Sequence, residues 1–235
     1  MKTGSSLFIL VLIMSMTVEL FADLPKNNSP EELERWFNSN EEEWKPQDIN
    51  EGALQFLTTS PKIKPQRSIN HITISAHSLE HGWVTLKQCH SDLDALPAAQ
   101  ILYKKHHVKN ISILQSKHIA RSWVEGNSVQ MKNISANAHI CIQADIHALG
   151  VDSDGQYTLT TGPYRRKFLD GYFPIDLSLT IDYPDNLKLA ATQPLAQAGY
   201  KIKKNRHSLT ISALFEGELL TQFKFSRQSV TNSPL

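Results

Sequence analysis

Cysteine is all but absent from this 235-residue sequence: Cys89 and Cys141 are its only two, so at most one intramolecular disulfide can form. Long apolar runs are almost as scarce. One occurs at residues 7–16 (LFILVLIMSM), and no later segment approaches the roughly 20 apolar residues that a membrane-crossing helix needs. Charge of one sign is not in excess. Lys and Arg number 24 against 23 Asp and Glu, and a net charge of +1 argues against wholesale nucleic-acid binding, which shows as a strongly basic domain. Catalytic signatures are missing too: there is no G-x-S-x-G elbow, no Gly-rich phosphate loop and no H-E-x-x-H. No repeat of fixed period is visible, and nothing calls for a cofactor.

What is present begins with an export signal. Lys2, the apolar run and Ala22 before Asp23 are the charged start, apolar middle and small-residue cut site of a signal peptide. Cleavage is expected after Ala22, and the apolar run is too short for an anchor. Four segments follow: a signal peptide at 1–22, an acidic leader and linker at 23–67, a β-sandwich domain at 68–226 and a polar tail at 227–235.

The leader carries nine acids between Asp23 and Glu51 against Lys26, Arg35 and Lys45, which leaves the remainder of the chain with a basic excess. Ser29-Pro30-Glu31-Glu32 supplies a capping residue, a first-turn proline and a glutamate, so a short helix is expected to about Asn38. Leu33, Trp36 and Phe37 form its apolar stripe. Pro61 and Pro65 lie in a polar stretch that reads as a linker.

From Asn70 onward the sequence alternates apolar and polar residues at period two between turn residues, a strand signature. The clearest run is Asp176 to Tyr183: Leu177, Leu179, Ile181 and Tyr183 point one way, and Asp176, Ser178, Thr180 and Asp182 the other. About a dozen such strands predict an all-β, mainly antiparallel β-sandwich with a short N-terminal helix. Hairpins are expected at Asp154-Gly155, Asn205-Arg206 and Glu216-Gly217. A helix is expected within Asp185 to Gln197, ended by Pro194.

Two thiols in an oxidising compartment most simply form one disulfide, here Cys89–Cys141. Strand parity puts Cys141 on the polar face with His139, Gln143 and Asp145, and Cys89 with Thr85 and Lys87, so a disulfide between neighbouring strands near the surface is expected. The same residues give an alternative. Cys89, His90, His139 and Cys141 could hold zinc or copper if the sulfurs were thiolates. Asp92 and Asp94 form a carboxylate pair of the kind used in glycoside hydrolysis, or a polar turn. Asp152-Ser-Asp154-Gly155 starts like a calcium loop but lacks the acid that would complete one. Finally, Arg165, Arg166 and Lys167 followed by Tyr172 and Phe173 make a cationic, aromatic loop that suits an anionic or carbohydrate ligand, or a plain structural loop with an arginine paired to Asp170.

Taken together, GWVTLKQCHSDLD (82–94), RSWVEGNSVQ (121–130) and RRKFLDGYFPIDLSLTIDYP (165–184) resemble segments of an uncharacterised family of exported bacterial proteins, over about residues 52–225. The resemblance implies a periplasmic address and assigns no site residue. The function expected is a non-enzymatic accessory or binding module of the cell envelope, with a protein or glycan as partner. A metal-binding protein and a carboxylate-pair hydrolase are the competing classes.

Overall fold

The computed structural model describes residues 50–169 and 171–228. The signal segment, the leader helix with its Trp36 stripe, Asp170 and nearly all of the tail lie outside the described residues. By its own contacts the chain divides into residues 1–45 and 46–235, and the second unit is the one described below.

Strands dominate it. In chain order they are β1 Gln55–Phe56, β2 Gln66–Thr73, β3 Trp83–Leu93, β4 Leu96–Leu102, β5 Val108–Glu125 and β6 Ser128–His147. Then come β7 Leu149–Val151, β8 Tyr157–Tyr164, β9 Arg166–Phe168, β10 Gly171–Phe173 and β11 Ile175–Asp182. The last four are β12 Leu187–Gln193, β13 Tyr200–Lys204, β14 Ser208–Glu216 and β15 Leu219–Arg227. One helix, α1 Ala76–His81, joins β2 to β3.

The strands form a nine-stranded sheet, a four-stranded sheet and the β9–β10 ribbon. In the large sheet β14, β11, β2, β3 and β6 lie side by side. One edge of β14 takes β13 and β1 at successive positions. One edge of β6 takes β3 and β4, and the other takes β5 along its length. The small sheet runs β12-β15-β8-β7. The β2–β11 pair is parallel and the other pairs are antiparallel, so the fold is the all-β, antiparallel-rich kind that the alternation predicts.

The two sheets pack face to face because both strand sets place one apolar face inward. Leu177, Leu179 and Ile181 of β11, Leu209, Ile211 and Phe215 of β14, and Leu159, Phe223 and Phe225 of β8 and β15 are fully buried in one cluster. A second cluster, around Val129, Met131, Ile140 and Ile142, lies against Ile101 of β4 and Ile113 and Ile119 of β5. The buried hydroxyls of Thr161 and Thr221 bond each other at 2.8 Å, and Tyr164 Oη donates to Thr161 at 2.9 Å. Each hydroxyl lost from water there finds a partner.

Four local expectations meet a different outcome. Asp185 to Gln197 holds strand β12 and no helix, because pairing with β15 satisfies its backbone and overrides helix propensity. Glu216-Gly217 is no hairpin: it carries the chain from β14 in the large sheet to β15 in the small one. Gly217 sits at φ 84°, and a Cβ there would lie 2.1 Å from Ala53 O, so glycine is what lets the chain cross. The runs at Ile111 and Trp123 belong to one 18-residue strand, and those at Val129 and Ala138 to one of 20 residues. These long strands bend at positive-φ residues Asn110, His118, Asn133 and Asn137, with register shifts in β5 that mark β-bulges. Finally, α1 arises where the sequence reading places none: Ser75 caps it in a capping box with Ser78, and Gly82 ends it in the left-handed region. The hairpin turns at Asp154-Gly155 and Asn205 do form; Asp152 Oδ1 accepts from the backbone N–H of Asp154 and Gln156, which makes D-S-D-G a turn.

Candidate functional site on the polar face of the large sheet

Residues that alternate with the buried set build the polar face of the large sheet. At its centre Cys89 of β3 stands directly opposite Cys141 of β6, with Cα atoms 4.1 Å apart, and their sulfurs form a disulfide. Directly opposed cysteines this close on antiparallel strands occupy a non-hydrogen-bonded pair, where side chains approach most closely. Both cysteines are partly exposed. The register sets their neighbours: Ile69 of β2, 43% exposed, lies beside Cys89, and Gln115 of β5 lies beside Cys141. His139 Nε2 is 3.1 Å from Cys141 Sγ and 3.1 Å from Gln115 Oε1.

The sequence-level metal set is therefore split. Cys89, Cys141 and His139 bring their ligand atoms within 4.8 Å of one another, but the sulfurs are bonded together. His90 points to the opposite, inward face with Leu86 and Gln88, as period two requires. Its Nδ1 is 3.0 Å from Gln66 Nε2, and its Nε2 is enclosed without a partner. Burial first, and His139 second, lower its pKa from 6.5 to about 4, so the ring is neutral near pH 7.

Farther along this face Trp83 meets His147 edge-on, with centroids 5.2 Å apart, and Lys109 Nζ lies 4.1 Å from the Trp83 ring centroid. Asp145 accepts from Thr85 at 3.3 Å and from Asn110 at 2.7 Å. A second aromatic group gathers where Arg121 and Lys132 flank Trp123. Little in the sequence signals these groups, because β5 meets β6 only through the register of two long bulged strands.

The cationic loop is mostly occupied by its own protein. Arg166 is buried, pairs with Asp94, donates to Lys64 O and Pro174 O, and lies over Phe168 and Phe173. Arg165 pairs with Glu218, to which Tyr172 Oη also donates at 2.9 Å. The bond from Arg165 foremost, and then that from Tyr172, holds the Glu218 carboxyl below the usual range. Lys167 lies over the Tyr172 ring at 5.1 Å. Among the described residues the arginine partners are Asp94 and Glu218, and the pairing expected to Asp170 lies outside those residues. The carboxylates Asp92 and Asp94 hold different cations: Asp92, at a bulge with φ 58°, bonds Lys64 at 2.6 Å, and Asp94 pairs with Arg166. A cleft of about 400 Å³ opens between Tyr183, Leu187, Lys188, Lys204 and Arg206.

No helix among the described residues is long and apolar enough to cross a membrane. No protein-family model matches the chain, and no curated protein sequence does. Among solved structures it is similar to an M1 zinc metallopeptidase of Deinococcus radiodurans bound to a Tyr-Ser-Ala substrate, at 9% identity and a TM-score of 0.39. A two-domain M1 zinc metallopeptidase bound to L-tryptophan matches at 10% identity and a TM-score of 0.35. Each match covers 74% of this chain and 43% of the other, so this chain spans less than half the length of those enzymes.

Proposed function

We propose that the chain is an exported, non-enzymatic binding module of the cell envelope, working in an oxidising compartment such as the bacterial periplasm. Its partner is an envelope glycan or protein held on the polar face of the large sheet. The observation that carries this reading is the Cys89–Cys141 staple, which lies in that face and fixes the two strands, β3 and β6, that carry Trp83, Thr85, Asp145 and His147. Disulfides persist where the compartment is oxidising, and thiols stay reduced in the cytosol. A partly exposed indole beside a hydrogen-bonded carboxylate offers an apolar ring and polar edges together, the combination that interfaces favour.

The resemblance to exported bacterial proteins and the cleavable N-terminal signal support the address. The cationic loop supports the reading less than its composition promises, since Arg165, Arg166 and Tyr172 already have internal partners. Titration of soluble envelope-glycan fragments and of purified envelope proteins, read by surface plasmon resonance, tests the reading. Trp83→Ala should weaken binding about tenfold or more, a typical loss for a buried aromatic anchor, whereas Lys167→Ala should leave it unchanged. Equal binding by the wild type and Trp83→Ala, or turnover of a ligand at this face, contradicts the proposal.

A further inference from the structure

We infer that reduction of Cys89–Cys141 converts the staple into a zinc site whose ligands are Cys89 Sγ, Cys141 Sγ and His139 Nε2. This goes beyond envelope binding and does not depend on it. The three donor atoms lie within 4.8 Å of one another, and once the S–S bond is broken the sulfurs have to part to the roughly 3.8 Å that two thiolates span on a tetrahedral zinc with Zn–S near 2.3 Å. His139 Nε2 faces Cys141 Sγ at 3.1 Å, so the imidazole needs no rotation out of a distant rotamer to share a metal with it. The bond is not the only tie between these strands. The register between β3 and β6 runs from Trp83↔His147 to His90↔Ile140 through backbone pairing, and it keeps both cysteines opposed after the sulfurs part. Gln115 Oε1, also 3.1 Å from His139 Nε2, is an exposed neighbour of the three donors. His90 takes no part, being on the inward face.

The chemistry closes without a hidden reactant. A dithiol reductant gives two electrons and two protons to the S–S bond and leaves as its own disulfide, while Cys89 and Cys141 become thiols. Zinc then displaces the two thiol protons and is held by two thiolates and a neutral imidazole, a ligand set it accepts. A disulfide oxidant reverses the sequence: the thiolates give up two electrons to re-form the bond, and zinc leaves with its charge unchanged. The staple and the metal site are mutually exclusive states of the same sulfurs.

The test uses the full chain, oxidised or reduced with a dithiol and desalted without oxygen, then titrated with zinc chloride against a chromogenic chelator. The reduced chain should bind one zinc per chain and the oxidised chain none, and the oxidant 4,4′-dithiodipyridine should release the metal. His139→Ala, reduced, should bind at least about tenfold more weakly, and Cys89→Ser should abolish the site. Zinc retained equally by the oxidised chain, or equal affinity in reduced His139→Ala, overturns the assignment. Far-ultraviolet circular dichroism is recorded on the same samples. Loss of the β signal on reduction also overturns it, because the ligands then belong to an unfolded chain.

Discussion

His90 and Arg166 show how much a single side chain in this molecule depends on its enclosure. The folded state keeps His90 neutral down to about pH 4, whereas the unfolded chain takes up the proton near pH 6.5. Between those values the unfolded state binds more protons, so stability is intact above pH 6.5 and falls as pH drops toward 4. The full window corresponds to about 3 kcal/mol at 1.36 kcal/mol per unit. Urea midpoints at pH 7 and pH 4.5 should therefore differ for the wild type and differ less in His90→Gln; an unchanged pH slope in the variant would rule the residue out. Arg166 and Lys167 are neighbours with opposite fates. Arg166→Ala strips carbonyl partners, an ion pair and packing on two phenylalanine rings, and should cost about 2 kcal/mol, discounted because Asp94 is partly wet. Lys167→Ala should stay within about 0.5 kcal/mol. Equal losses in the two variants would show that the loop is not built around Arg166.

Strands explain why some of this was readable in advance and some was not. β11 was legible because one face is buried throughout and the other is wet, so its alternation survives intact from Ile175 to Asp182. Leu179→Ala, at its fully buried centre, should cost about 2–5 kcal/mol, while Thr180→Ala on the other face should cost under about 1 kcal/mol; denaturant titration of both checks the assignment. β12 was illegible for the converse reason. Only Leu187 of that edge strand is fully buried, and the helix-forming Lys-Leu-Ala-Ala run hid a conformation set by β15. The β5 and β6 runs are legible in the sequence but their joining is not, because each register shift adds an odd number of residues to one strand and reads as a break. The disulfide is legible from the presence of two thiols in a chain expected in an oxidising compartment, and parity adds the polar setting of both cysteines. That His90 and His139 face opposite ways follows from the same parity, and grouping them as ligands overlooked it. α1 left a fainter signal in Ser75, Ser78 and Gly82. Gly82→Ala should destabilise by more than about 1 kcal/mol, since a Cβ would meet Leu149 O at 2.5 Å and φ is 74°; a melting temperature equal to wild type would contradict this.

At the scale of the whole described unit, the two sheets supply the stability and the staple ties the middle of the large one. Closing a loop of 52 residues is worth about 4 kcal/mol on the chain-entropy account, a large share of the 5–15 kcal/mol typical of a domain. Removing both thiols, as in Cys89→Ala with Cys141→Ala, should therefore lower stability by an amount close to that seen on reduction of the wild type. The same bond links the structural account to the proposed address, since disulfides persist in oxidising compartments and residues 1–22 are expected to act as an export signal. Non-reducing peptide mapping with intact mass, on the chain purified from the cell envelope of its source, tests that link most directly. The account predicts a chain beginning at Asp23, two hydrogens lighter than the fully reduced form, with the Cys89 and Cys141 peptides joined. A chain retaining its first 22 residues with both thiols free would contradict it.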